Sequence, residues 1–206
     1  MSIQKLQNIF TKENLIILNS KLDYSLIPTD QNKNYISYKS DTEGKGIHNE
    51  LGRLQFGDLR LKESSPNIVN QVTKIAKELS NKELQMSHAV AVEYSLLYGT
   101  PNLPVHYDYD TNDLIINFQL SSNTKWDIGV DTEIYELEDN SAVVFNGNEH
   151  THWRPYKTFK DNEFIKLIFF RFVDPNNPSD YSHLDYVINH EIFAEINAFR
   201  DSLGNT

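Results

Sequence analysis

Cysteine is absent from the 206 residues of the chain, and basic residues are scarce. The lack of cysteine excludes disulfides, cysteine-ligated zinc sites and thiol nucleophiles. Any bound metal must therefore be held by histidine and carboxylate side chains. Lys and Arg together number 19 against 29 Asp and Glu, which gives a formal net charge of -10. Because binding of nucleic-acid phosphates requires a positive surface, we do not expect a nucleic-acid partner.

Long hydrophobic runs are also missing. No segment approaches the roughly 20 apolar residues that cross a bilayer, and the first 20 residues carry scattered charges instead of the apolar core of a signal peptide. We therefore expect no membrane association and a cytoplasmic protein. The length, the 39% hydrophobic content and the absence of repeats predict a single domain over residues 1–206. The oligomeric state is left open.

The spacing of apolar residues predicts helices on both sides of a β-rich centre. Residues 64–79, SSPNIVNQVTKIAKEL, have helical spacing behind a serine cap, and the C-terminal segment, roughly 180–203, returns to helical spacing. Between them lie short alternating or β-branched runs: HAVAVEYSLL, DLIINFQL, EIYEL, SAVVF and FIKLIFFRF. Successive strands without intervening helices predict a mainly β fold with flanking helices, a double-stranded β-helix (jelly roll, cupin-like) with its core at about 85–174.

The run LPVHYDYD, residues 103–110, places titratable groups within a strand-like pattern. Alternate residues of a strand share a face, so His106 and Asp108 can present an imidazole and a carboxylate to one ion. His152, in HTHWR and 46 positions after His106, can supply a second imidazole from a distant strand. Two histidines and one carboxylate are typical of non-haem Fe(II) oxygenases. His150, with the same strand parity, is the alternative distal ligand, and Asp110 fits the geometry less well than Asp108.

The surroundings of these residues resemble a known family. The run YSLLYGTPNLPVHYDYD from Tyr94, the strand LIINFQL, the run YELEDNSAVVFNGNEHTHWRP from Tyr135 and the strand FIKLIFFRFVD follow one another in the order seen in Fe(II)/2-oxoglutarate-dependent dioxygenases of the prolyl 4-hydroxylase-like type. The resemblance covers roughly residues 85–174. It implies that His106, Asp108 and His152 bind Fe(II), that O2 and 2-oxoglutarate are cosubstrates, and that 2-oxoglutarate becomes succinate and CO2 as a substrate is hydroxylated.

The resemblance also implies a cation for the far carboxylate of 2-oxoglutarate. Lys166 has apolar neighbours in FIKLIFF, and an unpaired buried ammonium would be costly, so we expect it to be the anchor. Arg171, which alternates to the other face of the strand, is the second choice. Tyr94 is a candidate to hydrogen-bond the cosubstrate. His152 to Lys166 spans 14 positions, more than is usual for this family, and the loop YKTFKDNE can absorb the difference.

The substrate is less defined than the metal site. Arg154, two residues after His152, and Asn117, on the polar side of its strand, are candidate substrate contacts. The substrate itself can be a small molecule, an amino acid or a peptidyl residue, and residues 30–66 are a candidate lid. Two alternatives stay open. One is a cupin-like metalloenzyme that uses His150 and His152 without 2-oxoglutarate, and the other is a non-catalytic jelly-roll binding module.

Overall fold

The structure, a computed structural model, describes residues 2–22, 35–37, 52–108, 113–176 and 190–204. In these residues ten strands and four helices follow one another in the order β1 Gln4–Gln7, α1 Lys12–Ser20, β2 Tyr35–Ser37, β3 Arg53–Asp58, α2 Leu61–Ser64, α3 Pro66–Ser80, β4 Gln85–Ser95, β5 Leu114–Ser122, β6 Ile128–Val130, β7 Glu133–Tyr135, β8 Ser141–Phe145, β9 His152–Trp153, β10 Phe164–Val173 and α4 His190–Ser202. None of the described helices is both long enough and apolar enough to cross a membrane.

The strands form two antiparallel sheets. The large sheet has the order β1-β8-β5-β10-β4-β3-β2, and the small sheet has the order β7-β6-β9. Each strand predicted from the sequence is present, and the predicted mainly β, jelly-roll fold with flanking helices is confirmed. That residues 1–206 form one domain stays a prediction.

The two faces of the large sheet have different neighbours, because side chains alternate along each strand. On one face, Phe118 and Phe170 pack against Ile68 and Val72 of α3 in the largest hydrophobic cluster. On the other face, residues of β4 and β10 pack with Trp126 and with aromatic and aliphatic neighbours in a second cluster: Val92, Tyr94, Leu103, Phe159, Ile165 and Leu167. This second face, which we call the inner face, carries the candidate site.

Three segments refine the sequence prediction. Residues 53–58 form β3, which pairs with β4. They lie within residues 30–66, for which the sequence predicts polar loop with a few short extended pieces, including LQFGDLRLK. Helix α3 covers the predicted helix 64–79, with Ser65 at its N-cap position and Pro66 in its first turn, as the serine cap predicted. Helix α4, His190–Ser202, covers the second half of the predicted C-terminal helix. The rest of that prediction and most of the candidate lid, residues 30–66, lie outside the described residues.

Candidate metal centre

The structure brings His106, Asp108 and His152 together. One potential ligand atom of each side chain lies within 4.8 Å of those of the other two. An isolated antiparallel bridge joins the two histidines: the His106 amide donates to the His152 carbonyl at 3.2 Å, and the His152 amide donates to the His106 carbonyl at 2.9 Å. Their ring centroids are 4.0 Å apart. The histidine that is distant in sequence is thus placed by strand pairing, as the predicted return strand requires.

Both imidazoles are in a protonation state that can donate a lone pair to a metal. His106 Nδ1 lies 2.8 Å from the Pro104 carbonyl, a contact that fixes Nδ1 as the protonated nitrogen and leaves Nε2 as the donor atom. Burial lowers the pKa of His106 to about 3, with a further contribution from His152. Burial also lowers the pKa of His152 to about 3. Both rings are therefore neutral at physiological pH, which is the form that coordinates metals.

Asp108 is held close to His152 by a tight backbone contact. Its amide donates to the Gly147 carbonyl at 2.9 Å, and its Oδ1 lies 3.7 Å from His152 Nε2. A Cβ at position 147 would lie 2.5 Å from Asp108 Oδ2 and 2.6 Å from Ile115 Cδ1, so a larger residue there would force these side chains to move. Arg171 Nη2 lies 3.7 Å from the same Oδ1 and supports the carboxylate from the large sheet. No sequence pattern singles out Gly147 beyond its place before the distal histidine.

The alternative distal ligand, His150, lies elsewhere. Its Nδ1 is 2.7 Å from Asp131 Oδ2, and Asp131 also accepts hydrogen bonds from the amide and hydroxyl of Thr151. The cluster within metal-binding distance contains His152 and not His150. The other alternative, Asp110, lies outside the described residues.

The donor set fits Fe(II). Two neutral imidazoles and one carboxylate on one side of an ion are the facial set that leaves further positions open for cosubstrates. His152 Nε2 faces the Asp108 carboxylate at 3.7 Å, and one potential ligand atom of each of the three side chains lies within 4.8 Å of the others, close enough to share one ion. The candidate centre is thus chemically suited to a metal.

The two candidate anchors for 2-oxoglutarate lie on opposite faces of β10. Regular alternation from residue 164 to 171 places Lys166 on the helix-packed face with Phe170. There its Nζ is 3.6 Å from Glu93 Oε2, so Glu93 is the carboxylate that a half-buried ammonium requires. Arg171 lies on the inner face, beside Asp108. Of the two, only Arg171 lies on the same side as the triad.

The remaining predicted residues are buried. Tyr94 is inaccessible to solvent, and its hydroxyl accepts a hydrogen bond from Arg53 Nη1 at 3.1 Å. Arg154 is also inaccessible, and burial lowers its pKa to about 10, so it is charged at neutral pH. Asn117 is buried on β5 between the paired residues of β8 and β10. Sequence reasoning missed Arg53, because nothing local shows that the first residue of β3 faces inward.

Similar folds are found among solved structures. No protein-family model matches the chain, and no curated protein matches it in sequence. SnoN, a non-haem alpha-ketoglutarate-dependent epimerase from nogalamycin biosynthesis, superimposes with a TM-score of 0.62 at 8% identity over 84% of this chain and 77% of its own.

A 2OG-Fe(II) oxygenase family oxidoreductase from Burkholderia pseudomallei superimposes with a TM-score of 0.51 at 13% identity over 82% of each chain. The chain has the fold of 2-oxoglutarate oxygenases. EctD from S. alaskensis, crystallised with 2-oxoglutarate and 5-hydroxyectoine, gives a TM-score of 0.52 at 13% identity over 82% of this chain and 71% of its own. The resemblance predicted from the sequence is confirmed at the level of the fold.

Proposed function

We propose that the protein is an Fe(II)- and 2-oxoglutarate-dependent oxygenase that hydroxylates a C–H group of a small molecule or of an amino-acid or peptidyl residue. The cluster of His106, Asp108 and His152 carries the proposal. The likeness of the chain's fold to that of 2-oxoglutarate oxygenases supports the same conclusion. Because one fold can carry different activities, the cluster remains the main support.

The protein residues would bind the metal and orient its ligands, and the metal with its cosubstrates would supply the oxidising chemistry. When bound, Fe(II) with O2 and 2-oxoglutarate supplies the oxidising chemistry that converts 2-oxoglutarate into succinate and CO2. His106, Asp108 and His152 would hold the ion and would leave coordination positions for the cosubstrates. The Pro104 carbonyl fixes the orientation of His106, and the ring of Phe145, 5.1 Å from that of His152, keeps water from the protein side of the ligands.

The cosubstrate must bind on the inner face of the large sheet, where the triad lies. This requirement favours Arg171 over Lys166 as the predicted contact for 2-oxoglutarate, because Lys166 lies on the opposite face and is paired with Glu93. Tyr94, on the inner face, is suited to hydrogen-bond the same ligand. Asn117 lies on that face too and is a candidate contact for the substrate.

Anaerobic titration of Fe(II) and 2-oxoglutarate into the metal-free protein tests this function. A 2-oxo acid chelated to Fe(II) has a weak visible charge-transfer band, and we expect that band in the wild-type protein. His106→Ala should abolish it, whereas His150→Ala, the matched histidine outside the triad, should retain it. Arg171→Ala should require more 2-oxoglutarate than Lys166→Ala does.

The outcomes separate the candidate functions. Iron binding without the band would contradict 2-oxoglutarate use and support a cupin-like metalloenzyme. No metal binding would contradict both enzymes and support a jelly-roll binding module. Loss of the band in His150→Ala but not in His106→Ala would show that the triad is wrongly assigned.

A further inference from the structure

Helix α4 packs against the two chain segments that carry the histidine ligands. Val105, next to His106, and Trp153, next to His152, form a buried hydrophobic cluster with Ile196 of α4. Because successive residues of a strand point to opposite faces, β9 directs the His152 imidazole to the candidate metal centre and the Trp153 indole to the helix. One helix therefore contacts the immediate neighbours of both histidines.

Aromatic contacts extend this packing to the third ligand. Tyr107, which lies between the first two ligands along the chain, has its ring centroid 5.5 Å from that of Phe193. Phe199 packs edge-on against Trp153, with ring centroids 6.0 Å apart. Aromatic pairs in tilted and edge-on arrangements stabilise a contact beyond the area that they bury. The neighbours of all three ligands are thus packed against α4.

Arg200 links the last turn of α4 to the same two segments. Its Nε donates to the Arg154 carbonyl at 2.8 Å, and its Nη2 donates to Asn102 Oδ1 at 2.5 Å. The guanidinium carbon lies 4.0 Å from the centre of the Tyr156 ring, and the side chain is buried. Hydrogen bonds from a charged donor are stronger than those from a neutral one, so they fix the position of the helix along both segments.

The pairing that joins the two segments is short. The bridge between His106 and His152 is isolated and has two backbone hydrogen bonds, and the Arg154 amide donates to the Leu103 carbonyl at 3.0 Å. A two-stranded pairing is marginally stable by itself in water, so a bridge of this size depends on the packing around it. Helix α4 supplies such packing on both segments.

We propose that α4 is a positioning element of the candidate metal centre, which holds the two segments in register so that His106, Asp108 and His152 reach one ion. Binding groups have to be held to within about 0.5 Å, so a loosened helix weakens metal binding. By linkage, a helix whose docking favours metal binding is itself docked more firmly when metal binds. The effect on metal rests on the proposed function, whereas the helix contacts exist without metal.

Hydrogen exchange in the metal-free, full-length chain tests whether α4 holds the bridge. The amides of His106 and His152 are the two donors of the bridge, so their exchange rates report its opening. Phe199→Ala should raise both rates by about tenfold, the effect of losing one aromatic contact. Phe199→Leu keeps apolar packing and should exchange more slowly than Phe199→Ala. Val72→Ala, which truncates a buried residue of α3 on the other face of the large sheet, should lower the melting temperature without raising these rates.

Metal titrations well below the melting temperature, where every variant is folded, test the effect on the metal centre. Phe199→Ala should weaken Mn(II) binding by about tenfold, as expected for loss of a supporting contact. It should also change the visible spectrum of bound Co(II), which depends on the geometry of the ligands. Val72→Ala should match the wild type in both measurements. In the wild type, Mn(II) should slow the exchange of the α4 amides.

A second variant keeps the inference testable if Phe199→Ala fails to fold. Phe193→Ala removes a different aromatic contact of the same helix and should have the same effects. Unchanged exchange of the two bridge amides in these variants, or losses of metal affinity no greater than that in Val72→Ala, would overturn the inference. A wild-type chain that binds no Mn(II) would instead refute the proposed metal centre, and the exchange rates would still decide whether α4 holds the bridge.

Discussion

Gly147 offers a test of how tightly the structure holds the carboxylate of the candidate metal centre. In Gly147→Ala, the new Cβ would lie 2.5 Å from Asp108 Oδ2 and 2.6 Å from Ile115 Cδ1. The optimum separation of such atoms is about 3.5 Å, so each neighbour has to retreat by about 1 Å. Asp108 is the neighbour that matters for function, since its amide is also bonded to the carbonyl of residue 147.

The displacement of the Asp108 carboxylate in Gly147→Ala exceeds what a metal site tolerates. Binding constellations are held to within about 0.5 Å of their productive geometry, and loss of a supporting contact typically weakens metal affinity by about 10- to 100-fold. We expect that loss in Gly147→Ala. Overpacking of the surroundings should also lower the free energy of unfolding by about 1–3 kcal/mol. The two effects are separable because the second does not require metal.

The assay is calorimetric titration of Mn(II), a redox-stable substitute for Fe(II), into metal-free protein, combined with urea unfolding. Gly147→Ala with Ile115→Val removes the Cδ1 clash and leaves that with Asp108, so it should recover stability but not metal affinity. Gly204→Ala, where an added Cβ meets nothing within 4 Å, is the control for metal binding. Metal affinity within about twofold of the wild type in Gly147→Ala would refute the reasoning.

Three further predictions concern acid stability, the C-terminal helix and a buried amide. His106 and His152 have pKa values of about 3 in the folded chain and 6.5 in the unfolded chain. Between these two pH values the unfolded state binds more protons than the folded state, so the free energy of unfolding of the metal-free protein falls as the pH drops. At pH 5 each histidine should cost about 2 kcal/mol relative to pH 7.5, measured by urea unfolding; a difference below about 1 kcal/mol in total would contradict the burial argument. Arg200 Nε donates to the Arg154 carbonyl at 2.8 Å, so Arg200→Ala should lower the melting temperature, and an unchanged melting temperature would show that this contact does not stabilise the packing of α4. Asn117 Oδ1 is buried without a described donor, so Asn117→Leu should change stability by less than about 1 kcal/mol yet reduce substrate turnover; unaltered turnover would exclude a substrate contact.

Strand periodicity explains how much of the fold was predictable. The alternation in LIINFQL and FIKLIFFRF is local, and both segments are strands of the large sheet. The same periodicity predicts that His106 and Asp108 share a side, and their ligand atoms do lie together, although residues 103–108 are no strand and His106 forms only an isolated bridge with His152. Within residues 30–66 the sequence predicts only short extended pieces such as LQFGDLRLK, and pairing with β4 makes residues 53–58 a strand of the large sheet.

The sequence by itself determined the chemistry available to this protein: with no cysteine, a metal has to be held by histidine and carboxylate, and H-x-D on a strand presents both to one side. Tertiary structure alone decided which cation lies near that metal. Along the chain Lys166 is the expected anchor and Arg171 the second choice, and only the fold puts Glu93 beside Lys166 and Asp108 beside Arg171. Likewise, the Arg154 guanidinium loses its water only in the folded state, because segments distant in sequence bury it.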